Sequence, residues 1–236
     1  MTLNNLQTFA KTLIKQGYSP ATQKRRINTI KSLLGYGYAL GVLSVNVGKL
    51  LKPPKVKNTL AERILSETQI HSMMALTPNE RDRLLLRLIY ATGARVSEIS
   101  SLCWRDVQSA GQGQGQVTLF GKGNKTRIII FSQETWQQLQ HLRGEASLDE
   151  PVFKGYRGKA LSRHQIQRIV REAAKRAGIE GAVSPHWLRH AHASHAIERG
   201  TPIALVQATL GHASTTTTGM YLHVRPKASS ALYLSV

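Results

Sequence analysis

Apolar residues recur at helical spacing along most of this chain, and one stretch alternates instead. The segment "SPATQKRRINTIKSLLGYGYALGVL" offers Ser19 as N-cap and Pro20 at the first helical position, with Ile27, Ile30, Leu33 and Leu34 on the helical repeat. The residues before Gly17 allow one short helix. "LKPPKVKN" (51–58) then breaks the periodicity with Pro53 and Pro54 and predicts a linker. Beyond it, Ser66 and Gln69 stand in capping-box positions ahead of a helix, and "PNERDRLLLRLIYATG" predicts a second one that stops at Gly93. "GQVTLF" and "KTRIIIF" read as two strands joined by "GKGN", whereas residues 109–116 read as a flexible surface loop leading into that hairpin. "LSRHQIQRIVREAAKRAG" and "SPHWLRHAHASHAIERG" have serine caps and glycine stops at Gly178 and Gly200, which predicts two more helices. The fold class expected is mainly α (α+β), helices with a small antiparallel β-sheet.

Composition adds a partner class. With 236 residues and 41% hydrophobic content, the chain can bury a real core in one large domain, or in a medium and a small one. Thirty-two Lys and Arg against thirteen Asp and Glu leave a formal charge of +19, a surplus usually matched by a polyanion, first of all nucleic acid. Lys24, Arg25, Arg26 and Lys31 on the first long helix form either a solvated face or a DNA-facing one, and so do Arg168, Arg171 and Lys175. Cys103 is the only cysteine, which excludes an intrachain disulfide and a cysteine zinc cage and suits a reducing compartment. The N-terminus lacks a secretory pattern, and "RLLLRLIYATG" is too short to span a bilayer. No membrane association is expected, and a cytoplasmic, nucleoid-associated protein is.

The glycine-rich run "GQGQGQVTLFGKGN" imitates nucleotide loops without matching them. Gly123 follows Lys122 where a Walker loop needs Ser or Thr, Gly115 lies one residue too far away, and the alternating glycines are not the dinucleotide fingerprint. The histidines of "SPHWLRHAHASH" raise the question of metal. On a helix His186 and His190 share one face while His192 and His195 lie roughly opposite, so the four cannot converge on one ion. Trp187 stands where a metalloprotease helix carries glutamate. No metal site is expected; His192 and His195 read as packing or surface residues. His186 falls in the first turn of its helix, where free backbone N–H groups receive anions, with Arg189 on the same side.

Five local wordings occur in order: "ATGARVSE" with Arg95, "GKGNKTR" with Lys122, "HWLRH" with His186 and Arg189, "LGH" with His212, and "YLHV" with Tyr221. Together they resemble the tyrosine recombinase (phage integrase) family, nearest its Xer-like branch, over residues 91–224. The resemblance implies that Arg95, Lys122, His186, Arg189 and His212 surround a scissile phosphate that Tyr221 attacks, with Glu98 orienting an arginine. It implies a site-specific DNA recombinase working through a covalent 3′-phosphotyrosine, with no cofactor and no metal. Two arginines suit this chemistry because each stays charged and offers a planar fork to phosphate oxygens.

The domains expected are 1–57, a shortened helical core-binding (DNA-clamp) domain with its linker around 51–58, and 59–236, the catalytic domain. Members of the branch carry a fuller N-terminal domain, and here its second half is recognisable from about Gly17 to Lys57. The partners implied are double-stranded DNA and copies of the chain itself, as a homo-tetramer on paired DNA sites that is weak or monomeric without DNA. A topoisomerase-like strand relaxation and a shortened, non-catalytic DNA-binding relative are the alternatives.

Overall fold

The computed structural model describes residues 2–56, 61–121, 126–211 and 218. The chain divides into two compact units, Met1–Thr59 and Leu60–Val236. In the first, α1 (Leu3–Lys15) and α2 (Pro20–Ala39) enclose a small core of Leu6, Leu13, Ile27, Leu34 and Leu51. Ser19 caps α2 through the Thr22 amide, and Pro20 opens the helix. Leu33, expected on the buried repeat, is 67% exposed, because within this unit α1 and the turn Val47–Leu50 cover only one side of α2. Lys31 Nζ donates to the Leu51 carbonyl at 2.6 Å, fastening the chain just ahead of Pro53. The Arg26 guanidinium lies 3.9 Å over the Tyr18 ring. Lys24 and Arg25 remain exposed.

The second unit is built around α4 (Glu80–Thr92), preceded by α3 (Glu67–Ala75). Leu84, Leu85, Leu86, Leu88 and Ile89 of α4 are all buried, although its first turn is charged and Arg87 pairs with Glu134. Around α4 lie α3, α6 (Gln133–Arg143), α8 (Pro185–Glu198) and the sheet. The Ser66–Gln69 capping box of α3 forms as expected, and Gly93 ends α4 in the left-handed region at φ 59°. A Cβ on Gly93 would sit 2.7 Å from Leu210 and 2.9 Å from His192, so glycine here also lets other elements approach the helix end. The five-residue α5 (Val96–Ser100) follows, and α7 (Arg163–Arg176) and α9 (Ile203–Leu210) complete the helices described here.

The sheet corrects one expectation. Residues 109–116 are not a loop: β1 (Val107–Gly111) and β2 (Gln114–Phe120) pair antiparallel, and β2 pairs with β3 (Thr126–Phe131) in the order β1-β2-β3. The two-residue turn between β1 and β2 has positive φ at both Gln112 (49°) and Gly113 (76°), the conformation that suits a tight hairpin. The glycines and glutamines there offer no apolar alternation, so pairing rests on backbone hydrogen bonds, interrupted by a register shift between Ser109 and Gly111. Gly115, Val117 and Leu119 of β2 and Ile129 and Phe131 of β3 face the core; Phe120, Ile128 and Ile130 face outward.

Gly115 leaves room for the Phe131 and Trp136 rings; a Cβ there would come within 2.8 Å of the Trp136 ring and closer still to Phe131. Gly115→Ala should destabilise the second unit by about 1–3 kcal/mol through overpacking. Urea unfolding checks this, and an unchanged midpoint would show that the rings give way freely.

Candidate active site

Where α4 ends, the chain turns at Gly93 and Arg95 becomes the residue that opens α5. Glu98, one turn on, is 4% exposed. A buried carboxylate must be ionically and hydrogen-bond satisfied, and this one accepts four bonds. Arg95 supplies two, from its backbone N–H to Oε2 at 2.7 Å and from Nη1 to Oε1 at 3.1 Å. Arg127, on β3, supplies the other two as a fork, Nη1 to Oε1 at 2.8 Å and Nη2 to Oε2 at 2.7 Å. Burial raises the Glu98 pKa, but the hydrogen bonds and charge of Arg127 and the bonds from Arg95 outweigh it and hold the carboxyl below the usual glutamate range.

Three arginines from separate elements meet the C-terminal end of α9. Arg127 Nε donates to the Thr209 carbonyl at 2.7 Å, Arg189 Nη2 to Leu210 at 2.6 Å, and Arg95 Nη2 to Gly211 at 3.2 Å. Arg189 Nη1 also donates to the Gly93 carbonyl at 2.5 Å. A helix C-terminus presents unpaired carbonyls and the negative end of its dipole, so guanidinium groups are stabilised there. Arg95, Glu98 and Arg189 are thereby brought together, with Arg127 among them.

His186 stands at the second position of α8, partly exposed. Burial first, then the Arg189 and Arg95 charges, depresses its pKa, so the ring is neutral at pH 7 and can accept a proton. His190 lies one turn on with its ring centroid 6.5 Å from that of His186. Burial, the neighbouring His186 and the charges of Arg189 and Arg63 push it down to about 4. His192 and His195 resolve as packing residues: His192 Nδ1 meets the Tyr90 carbonyl at 2.8 Å, and the buried His195 meets the Tyr90 hydroxyl at 2.9 Å. Among the described residues no group of three or more His, Cys, Asp and Glu is placed to hold a metal, and no described helix is long and apolar enough to cross a membrane.

Lys122, His212 and Tyr221 lie outside the described residues. Gly211, whose carbonyl receives Arg95, is the residue immediately before His212. Arg168, Arg171 and Lys175 are exposed on α7, opposite its buried Ile166, Val170 and Ala173. Arg127 has no role in the expected site. A signal existed: in "TRIIIF" it shares its strand face with the core residues Ile129 and Phe131, and a cation facing a core needs a buried partner.

Because the folded pKa of Glu98 is depressed, its ionisation stabilises the fold above the unfolded glutamate pKa, and that contribution is lost as pH falls through the folded value. Glu98→Gln should cost about 3 kcal/mol at pH 7, since it strands buried arginine charge. The stability gap between wild type and variant should narrow as pH is lowered below about 4.3, the ordinary glutamate pKa. Urea titrations at stepped pH check this, a constant gap being the contrary result. His190 should stay neutral down to about pH 4 in a proton NMR titration.

Residues 63–228 match the phage integrase family. The chain is 31% identical over 233 residues to tyrosine recombinase XerC of Thermodesulfovibrio yellowstonii, covering 93% of this chain and 76% of that protein. To XerC of Corynebacterium efficiens it is 36% identical over 235 residues, covering 94% and 74%. Among solved structures, that of XerA recombinase aligns with a TM-score of 0.62 at 27% identity, over 98% of this chain and 82% of that one. XerH bound to its difH substrate shares the fold with a TM-score of 0.77 at 22% identity, over 99% and 70%. With a family match over residues 63–228 and relatives more than 30% identical over most of both chains, the chain belongs to the phage integrase family of tyrosine recombinases.

Proposed function

We propose that this protein is a site-specific recombinase that cuts and rejoins double-stranded DNA at the arginine-lined site, with Tyr221 as nucleophile. The observation that carries the reading is the convergence of Arg95, Arg189 and a neutral His186 beside the α9 end that leads into His212. Attack on a phosphodiester concentrates negative charge on its non-bridging oxygens, and fixed guanidinium groups stabilise that charge without reorganising. Tyr221 Oη forms a bond to phosphorus as the bond to the 5′ oxygen breaks. A tyrosine of ordinary pKa, about 10, must lose its proton on attack, and in this reading neutral His186 takes it. Lys122 protonates the departing 5′ oxygen, and His212 donates to a phosphate oxygen. The 3′-phosphotyrosine keeps the bond energy, so a second 5′-hydroxyl displaces the tyrosine without a nucleotide or metal.

Exposed Lys24 and Arg25 of α2 and Arg168, Arg171 and Lys175 of α7 contribute phosphate contacts, which makes binding salt-dependent. Arg26 and Lys31 act there mainly through their stacking on Tyr18 and their hold on Leu51. Four copies assemble on paired sites in the cytoplasm, where the nucleoid lies.

Wild type incubated with randomly nicked duplex DNA should yield an SDS-resistant protein–DNA adduct, because a nick near the cut releases the short fragment and prevents rejoining. Tyr221→Phe should give none, and Arg95→Ala should form it about 100-fold or more slowly while keeping its DNA affinity. Adduct from Tyr221→Phe, or none from wild type despite binding, would overturn the reading.

A further inference from the structure

Arg127 makes three hydrogen bonds at the site and is more deeply buried than Arg95. Its side chain is 10% exposed, against 32% for Arg95. Nε and both terminal nitrogens are all donating, to the Thr209 carbonyl and to the two Glu98 oxygens. Arg95 by contrast gives Glu98 only one side-chain bond, at 3.1 Å, and keeps its guanidinium partly open. One carboxylate thus faces two arginines, of which the buried one forms the fork. The same guanidinium packs 3.3 Å from where a Gly211 Cβ would stand, under the turn before His212.

We infer that Arg127 is a positioning residue for strand cleavage: it occupies Glu98 so that Arg95 stays available to the phosphate, and it pins the α9 end that carries Gly211 beneath Arg95. This rests on the proposed chemistry of the site. A carboxylate deprived of Arg127 has both oxygens open to Arg95, and a bidentate pair is the preferred geometry of that contact. Arg95 then turns inward from Gly211 and from the substrate. Lysine cannot replace Arg127, because a single ammonium cannot span two carboxylate oxygens and the Thr209 carbonyl in a plane. Arg127 belongs to β3, so Glu98 also ties that strand to the arginine site.

The test uses the full chain and a nicked duplex of the sequence recovered from trapped wild-type adduct. Single-turnover adduct formation at saturating protein is compared with DNA affinity at fixed salt. Arg127→Met should form adduct about 100-fold more slowly, as when a fixed transition-state donor is lost, with affinity unchanged within about twofold. Adding Glu98→Gln to Arg127→Met should recover about tenfold or more, because the competing charge that draws Arg95 inward is gone. A merely structural role would lower thermal stability without this rescue. If Arg127→Met does not fold, as judged by near-ultraviolet dichroism, Arg127→Lys carries the comparison, with an expected loss of about tenfold in rate alone. A folded Arg127 variant cleaving at the wild-type rate overturns the inference, as does a double variant no faster than Arg127→Met. Absence of adduct from wild type would instead remove the proposed chemistry, and the inference with it.

Discussion

The second unit is organised by one buried carboxylate. Glu98 lies 4% exposed beneath Arg95 and Arg127, and without them it would be an isolated buried charge, which no packing nearby could offset. Its four bonds join three places distant in the chain: the turn after α4, strand β3 and, through Arg127 and Arg95, the carbonyls at the end of α9. Each partner is itself held by the scaffold. α4 is fixed by its buried leucines and Ile89, and β3 is fixed by its register against β2.

Three guanidinium groups at the α9 end against the one carboxylate of Glu98 leave the site positive, and that excess has two effects. It favours a phosphate in a protein already carrying a formal +19. It also depresses the pKa of His186, which burial has lowered already, so the ring next to the cations is a neutral base rather than a further cation. The field that holds the substrate therefore sets the protonation state of the group that receives the nucleophile's proton. His190, one turn on, is likewise held neutral, its pKa pushed down to about 4.

Much of this was readable in the sequence where local rules act alone. Ser19 with Pro20, the Ser66–Gln69 box and the Gly93 stop appear where their residue types place them. β1 escaped because Ser109 to Gly113 lack side-chain alternation, so only backbone pairing defines the strand. α5 is too short to show a period, α6 buries only Thr135 and Leu139, and α9 buries only Val206 and Leu210. Arg95, His186 and Arg189 were legible as a motif, and the α9 carbonyls that anchor two of them were not, since backbone acceptors leave no residue-type trace. Arg127 was legible only as a cation on the wrong face of a strand, a pattern visible once the strand's inward side is known.

The most direct test of the account is a crystal structure of the adduct trapped on nicked DNA. The account predicts a 3′-phosphate joined to Tyr221 Oη, both Arg95 and Arg189 within hydrogen-bond distance of its oxygens, and the Arg127–Glu98 fork intact. A phosphate joined to another residue, or Arg95 folded onto Glu98 away from the DNA, would contradict it.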